Sequence, residues 1–183
     1  MLSNNKDTVA SAVVKKKTKI TGMMDRCQAL FTGKYIEYGT PRSLFDELNE
    51  ELHFVLDPCT TSDNPLQTRH FFTKQDDGLT QSWGFRGSVF VNPPYGKNII
   101  EWVKKAFDES VKRNINVVML LPARTDTRFF HDYIYNKPNV EVRFIRGRLK
   151  FITSVQDVPN TAPYPSMVVV FNKKSTELNQ LVN

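Results

Sequence analysis

The chain has 183 residues, 40% of them hydrophobic, which suits a single domain with a sizeable core and leaves little room for a second module. Its two cysteines, Cys27 and Cys59, exclude a disulfide framework, and no Cys/His cluster has metal-ligand spacing, so no metal site is expected. No apolar run approaches the length of a membrane span and no secretory signal is recognisable. A soluble cytoplasmic protein is expected, and its net charge of +6 favours an acidic partner such as nucleic acid.

Residues 1–22 mix small polar residues with a lysine run and read as a flexible basic arm, ahead of a domain over 23–175 and a tail at 176–183. "MMDRCQALFTGKY" carries a short helical pattern that Gly33 would cap. A firmer helix begins at Thr40 and Pro41, where proline is tolerated, and places Leu44, Phe45 and Leu48 on one face. "HFVLDPC" reads as a short buried strand stopped at Asp57 and Pro58. "RHFFT" is a second short strand, and "KQDDGL" a polar turn.

From there the alternation is regular. "SVFV" predicts a strand, "NIIEWVKKAFDESVK" an amphipathic helix, "INVVMLLP" a wholly apolar strand and "TDTRFFHDYIY" a further helix. "VEVRFI", "RLKFI" and "PSMVVVF" are the closing strands. This order predicts an α/β fold with a mainly parallel sheet, helices on both faces and antiparallel pieces near the end. In such sheets ligands bind beyond the carboxyl ends of the strands, where Asp57-Pro58 and Asn92-Pro93-Pro94-Tyr95 both fall.

The second of these corners has a chemistry of its own. Its prolines fix their own torsions and extend the residue before them, which holds Asn92 and the Pro93 carbonyl in one arrangement. The Asn92 side-chain oxygen and that carbonyl make a pair of acceptors suited to an exocyclic amino group, and Tyr95 offers a flat face to a planar ring. An aromatic amine is a poor nucleophile because its lone pair is delocalised. Two fixed acceptors localise the pair and aim it, which is activation by preorganised hydrogen bonds rather than by a strong base.

With these motifs the chain resembles the phage-type DNA adenine N6-methyltransferases, the phage Dam family of the Rossmann-like methyltransferase class. The resemblance covers residues 38–172 and runs through "YGTPRSLFDEL", "FVLDPCTTSDN", "FFTKQDDGLTQSW", "VFVNPPYGKNIIEWVKKA", "VVMLLPARTDTRFFHD", "IRGRLKF" and "PSMVVVF". It implies methyl transfer from S-adenosylmethionine to the N6 amino group of adenine in DNA. Asn92, Pro93, Pro94 and Tyr95 would then hold the adenine. Thr40, Pro41, Asp57, Pro58 and Asp77 would meet the cofactor.

One departure from the wider class is the segment "DPCTTSDNP", which has no glycine where a glycine-rich loop is usual. Asp63 and Asn64 are candidates to replace that loop's contacts. Only 35 positions separate Asp57 from Asn92, so a shortened strand–helix unit is expected.

Adenine must leave the duplex to reach such a corner. Arg124, Arg128, Arg143, Arg146, Arg148 and Lys150 are candidates to grip the DNA, with Arg146-Gly147-Arg148 on a turn. The size of the chain leaves little room for a target-recognition domain and predicts weak or short-sequence specificity. His53, His70, His131, Trp83, Trp102, Phe129, Phe130 and Tyr133 read as structural. Two rivals share the pattern: amino methylation of RNA or protein glutamine, and nucleic-acid binding without catalysis. Oligomeric state has no signature in the sequence.

Overall fold

The computed structural model describes residues 38–152 and 161–172. The expected arm at 1–22, the helical pattern in "MMDRCQALFTGKY" and the tail at 176–183 lie outside the described residues. Strands β1 (Phe54–Asp57), β2 (His70–Phe71), β3 (Ser88–Val91), β4 (Val117–Pro122), β5 (Val140–Phe144) and β6 (Ser166–Phe171) form one sheet in the order β2-β1-β3-β4-β6-β5. The first four are mutually parallel, whereas β6 is antiparallel to both β4 and β5. The expected mainly parallel sheet with antiparallel strands at its end is thus present.

Helix α1 (Arg42–Leu52) starts directly after Pro41 and buries Phe45, Leu48 and Leu52. These pack on Phe90, Val118, Leu120, Val168 and Val170, the side chains that alternation along β3, β4 and β6 sends to that face. Phe45 meets Phe90 edge-on at 5.2 Å and Phe54 at 5.4 Å. Helices α2 (Ile99–Arg113) and α3 (Arg128–Tyr133) cover the other face, setting Trp102, Val103, Ala106, Phe129 and Phe130 against Val89, Val91, Val117, Met119 and Leu121. Strands covered on both faces are apolar at nearly every position, and all six residues of β4 and of β6 are buried.

α2 carries Glu101 in its first turn and Lys112 and Arg113 in its last, each complementing the helix dipole. Glu109, buried on this helix, receives Lys105 at 2.8 Å and the Arg113 guanidinium, as well as the Trp83 amide at 3.3 Å. A buried carboxylate needs partners of this kind, and here they also tie the helix to the loop before β3.

The unit between β1 and β3 is shortened, as expected: it holds no helix, and a two-residue strand and turns replace a full crossover. One difference from expectation stands out. Among the described residues "RLKFI" forms no strand and makes single bridges, Lys150 with Thr161 and Ile152 with Gly39. Gly147, at a φ of 81°, turns the chain there, and the Arg148 guanidinium donates to the carbonyls of Ala162 (3.3 Å) and Pro163 (2.5 Å), holding the segment without a ladder.

Candidate active site

The strand order reverses direction between β1 and β3, and the carboxyl ends of those two strands carry Asp57 and Asn92. This is the switch point at which open α/β sheets bind ligands. The two sequence motifs therefore sit on adjacent strand ends.

On the β1 side Asp57 is 3% exposed. Burial pushes its carboxyl up to about 7, against the opposing hydrogen bonds from the Cys59 amide (3.0 Å) and the Thr60 side chain. Its main-chain oxygen accepts from the Phe72 amide at 2.9 Å, and the Thr60 amide donates to Phe72 at 3.0 Å, which fixes the corner against the start of the "KQDDGL" turn.

That turn comes unusually close. A Cβ on Gly78 would lie 2.0 Å from the Pro58 carbonyl oxygen and 3.2 Å from the Trp102 ring, so only glycine fits. The Trp83 indole donates to the Gly78 carbonyl at 2.8 Å, and its ring stacks on Trp102 at 6.3 Å. Both tryptophans are core residues that hold the turn in place.

Asp77 is exposed in this turn, with a φ of 52° and its carboxylate accepting from the Leu79 amide at 3.3 Å. Asp63 and Asn64 are engaged within their own loop: Asp63 accepts from the Thr61 hydroxyl, and the Asn64 amide donates to the Thr68 carbonyl at 2.9 Å.

On the β3 side the Asn92 amide nitrogen donates to the main-chain carbonyl of Tyr38 at 2.7 Å. A carbonyl only accepts, so the nitrogen must face it and the side-chain oxygen is turned away. Pro93 is buried, Pro94 is exposed, and among the described residues no main-chain hydrogen bond reaches the Pro93 carbonyl. Tyr95 is partly buried, with its hydroxyl donating to the Leu120 carbonyl at 3.3 Å; burial raises the phenol pKa above its ordinary value.

Tyr38 leads into the buried Thr40 and into Pro41, at the start of α1. Gly39 exchanges two main-chain hydrogen bonds of 2.8 Å with Ile152. Phe151, 2% exposed, packs on Tyr38 at 5.2 Å and meets Tyr95 edge-on at 6.1 Å. The Tyr38–Pro41 segment thus joins the Asn92 corner to the segment that follows Arg148. Neither Tyr38 nor Phe151 was singled out by sequence reasoning. Phe151 carried one signal, as an aromatic directly after the basic turn.

The Ser166 hydroxyl is buried and has no hydrogen-bond partner among the described residues. It opposes Pro122 across the β4–β6 pairing, on the face shared by Phe90 and Leu120.

The basic candidates divide by their partners. Arg143 makes two hydrogen bonds to Glu51 (2.6 and 2.8 Å) and one to Glu141 (2.6 Å), which link α1 to β5. Arg124 pairs with Asp126 at 3.0 Å and lies 5.5 Å over the exposed Tyr164 ring. Arg128 is 86% exposed, 3.8 Å from Asp132. Arg146, Arg148 and Lys150 are exposed around the Gly147 bend, with the Arg148 guanidinium engaged by the Ala162 and Pro163 carbonyls.

His70 stacks on Phe85 at 4.1 Å, His53 ends α1, and Tyr133 packs on Phe107 at 5.8 Å, in keeping with structural roles. Among the described residues no group of His, Cys, Asp and Glu is arranged to hold a metal, and no helix is long and apolar enough to cross a membrane.

The profile of the family described as DNA N-6-adenine-methyltransferase (Dam) matches residues 35–182. A DNA N-6-adenine-methyltransferase of Haemophilus phage HP1 (strain HP1c1) is 30% identical over 125 residues, 68% of this chain and 70% of that protein. One of Escherichia phage T1 is 30% identical over 104 residues, 56% of this chain and 42% of that longer protein. No solved structure matches the chain. With most of its length matched by the family profile, the chain belongs to the DNA N-6-adenine-methyltransferase (Dam) family.

Proposed function

We propose that the chain methylates the N6 amino group of adenine in DNA with S-adenosylmethionine as donor, using the Asn92 corner to hold the amine and the Asp57 corner to hold the cofactor. The observation that carries this reading is the Asn92 hydrogen bond to Tyr38, which leaves the side-chain oxygen available as an acceptor beside the Pro93 carbonyl.

The residues on the β1 side suit the cofactor. S-adenosylmethionine is cationic at its ammonium and sulfonium, and Asp57 is a buried carboxyl whose pKa is set by burial and neutral donors, with no cation acting on it among the described residues. A cationic ligand would lower that pKa and recover the cost of burial. Thr40 and Pro41 would border the methionine end, and Pro58 and Asp77 the remainder, with the bare Gly78 backbone letting the turn close on Pro58. When bound, the cofactor supplies an electrophilic methyl group.

On the other side the target amine would donate its two hydrogens to the Asn92 side-chain oxygen and the Pro93 carbonyl. That draws the nitrogen lone pair out of conjugation and points it at the cofactor. The proton lost after transfer can pass to solvent. Tyr95, anchored through Leu120, would give the base a face to pack on.

Base flipping costs a few kcal/mol, and phosphate contacts from Arg124, Arg128, Arg146, Arg148 and Lys150 would offset it. The compact domain favours short-sequence specificity, and the enzyme would act on DNA in the cytoplasm.

Labelled methyl transfer to DNA, RNA and a glutamine-containing peptide tests the reading directly. Label in RNA or peptide with none in DNA would refute it. Binding of DNA without S-adenosylmethionine binding would replace it with the noncatalytic alternative.

A further inference from the structure

The bond between Asn92 and Tyr38 bears on why the corner carries an amide at all. For holding an amine, an aspartate would be the stronger acceptor, since a charged oxygen forms the stronger hydrogen bond. The structure gives the second half of the side chain a different task. The nitrogen of Asn92 lies 2.7 Å from the Tyr38 carbonyl, a main-chain oxygen 54 positions away in sequence. That oxygen is fixed in turn: Gly39 is locked to Ile152 by two 2.8 Å bonds, and the Tyr38 ring rests on the buried Phe151. A Cβ on Gly39 would sit 3.3 Å from Ile152, so the strip is closely packed.

We propose that the Tyr38 main-chain carbonyl is a positioning group that holds the Asn92 amide in one of its two flip states, and that position 92 therefore requires a side chain that donates to Tyr38 as well as one that accepts from the target amine. This rests on the reading of Asn92 as an acceptor for adenine and extends it. Asparagine meets both demands, one with each end of the amide. An ionised aspartate meets only the second, because its other oxygen would face the Tyr38 carbonyl with two acceptors opposed. A protonated aspartic acid meets both again, the hydroxyl donating to Tyr38 and the carbonyl oxygen accepting from the amine.

The consequence is a pH signature. The titratable and charged groups on the elements around Asn92 are Asp57 at the end of β1, Tyr95 and Lys97 in its own turn, Tyr38 beside it, Arg42 at the start of α1, Arg124 and Asp126 beyond β4, and Arg148 and Lys150 ahead of Phe151. Burial holds Asp57 near 7, inside any practical range. Each variant rate is therefore taken as a ratio to wild type at the same pH, and the series is repeated in an Asp57→Asn background so that the Asp57 carboxyl does not couple to the new one.

The test is single-turnover methylation of duplex DNA by wild type, Asn92→Asp and Asn92→Ala between about pH 5.5 and 8.5, with melting temperature and S-adenosylmethionine affinity as folding controls. The expected result is a ratio for Asn92→Asp reduced about a hundredfold at pH 8, recovering by up to tenfold for each unit of acidification. The ratio for Asn92→Ala should be low and flat.

If Asn92→Asp is as active as wild type at pH 8 while Asn92→Ala is inactive, the lock is wrong and the acceptor role survives. A flat, low ratio for Asn92→Asp also overturns the lock. If Asn92→Ala retains activity, the acceptor reading itself fails. Should Asn92→Asp not fold, the wild-type protein still decides the matter. The Asn92 side-chain NH₂, assigned by nitrogen-15 spectroscopy, should have one proton exchanging slowly with water, and exchange as fast as an exposed amide would refute the bond.

Discussion

Replacing Asp57 with asparagine should make the protein more stable and abolish part of its pH dependence while weakening cofactor binding. The carboxyl has a pKa of about 7 in the folded chain against 3.8 for the ordinary group, so the folded state binds the proton more tightly than the unfolded state does. A group raised in this way destabilises the fold once it must ionise. Its contribution to stability is fully present below 3.8, is lost as the pH climbs from there to 7, and is level above.

The full span corresponds to about 4 kcal/mol at 1.36 kcal/mol per unit, of which about 2 kcal/mol is lost between pH 5.5 and 8.5. An asparagine at this position would keep an oxygen for the Cys59 amide without ionising. Urea unfolding of wild type and Asp57→Asn at those two pH values isolates the group, because other titrations cancel in the difference. The gap between the two proteins should widen by about 2 kcal/mol towards pH 8.5. Parallel behaviour at both pH values would refute the reasoning. The same variant should bind S-adenosylmethionine more weakly, since the cationic ligand loses its charge partner.

Four further substitutions separate packing, electrostatics and DNA contact. Gly78→Ala would drive a Cβ to 2.0 Å from the Pro58 carbonyl, so a loss of about 2 kcal/mol by chemical denaturation, with a raised KM for the cofactor, is expected. Arg146→Ala should reduce the slope of log Kd for DNA against log salt by about 0.9, as one lost phosphate contact requires. Arg143→Ala should leave that slope unchanged and cost about 1 kcal/mol of stability through its links to Glu51 and Glu141. Ser166→Ala removes a buried hydroxyl that has no partner among the described residues and should be neutral or stabilising by about 1 kcal/mol in thermal melts, where most core polar deletions destabilise.

Much of the fold was legible in the sequence because its signals are local. The apolar run over Val117–Pro122, the helical spacing in Ile99–Arg113 and Pro41 ahead of Arg42 each dictate their element within a few residues. The Asn92 corner was legible for the same reason, since two consecutive prolines announce a rigid turn. What escaped was what depends on distant chain. Tyr38 matters through a bond spanning 54 positions, and Arg143 is tied to a glutamate 92 positions away. "RLKFI" has strand-like composition, yet its partners are single residues on two separate segments, and composition carries no record of that. Gly78 read as an ordinary turn glycine, whereas its close approach to Pro58 is what sets the turn beside Asp57.

The central claim is that the Asn92 corner presents DNA adenine to a methyl donor. Its most direct test is labelled methyl transfer from S-adenosylmethionine to unmethylated DNA, with nucleoside mass spectrometry of the product, for wild type and Asn92→Ala. N6-methyladenine formed by the wild type and lost in the variant is the predicted result. Methylation that survives Asn92→Ala, or label appearing at a position other than the adenine amino group, would contradict it.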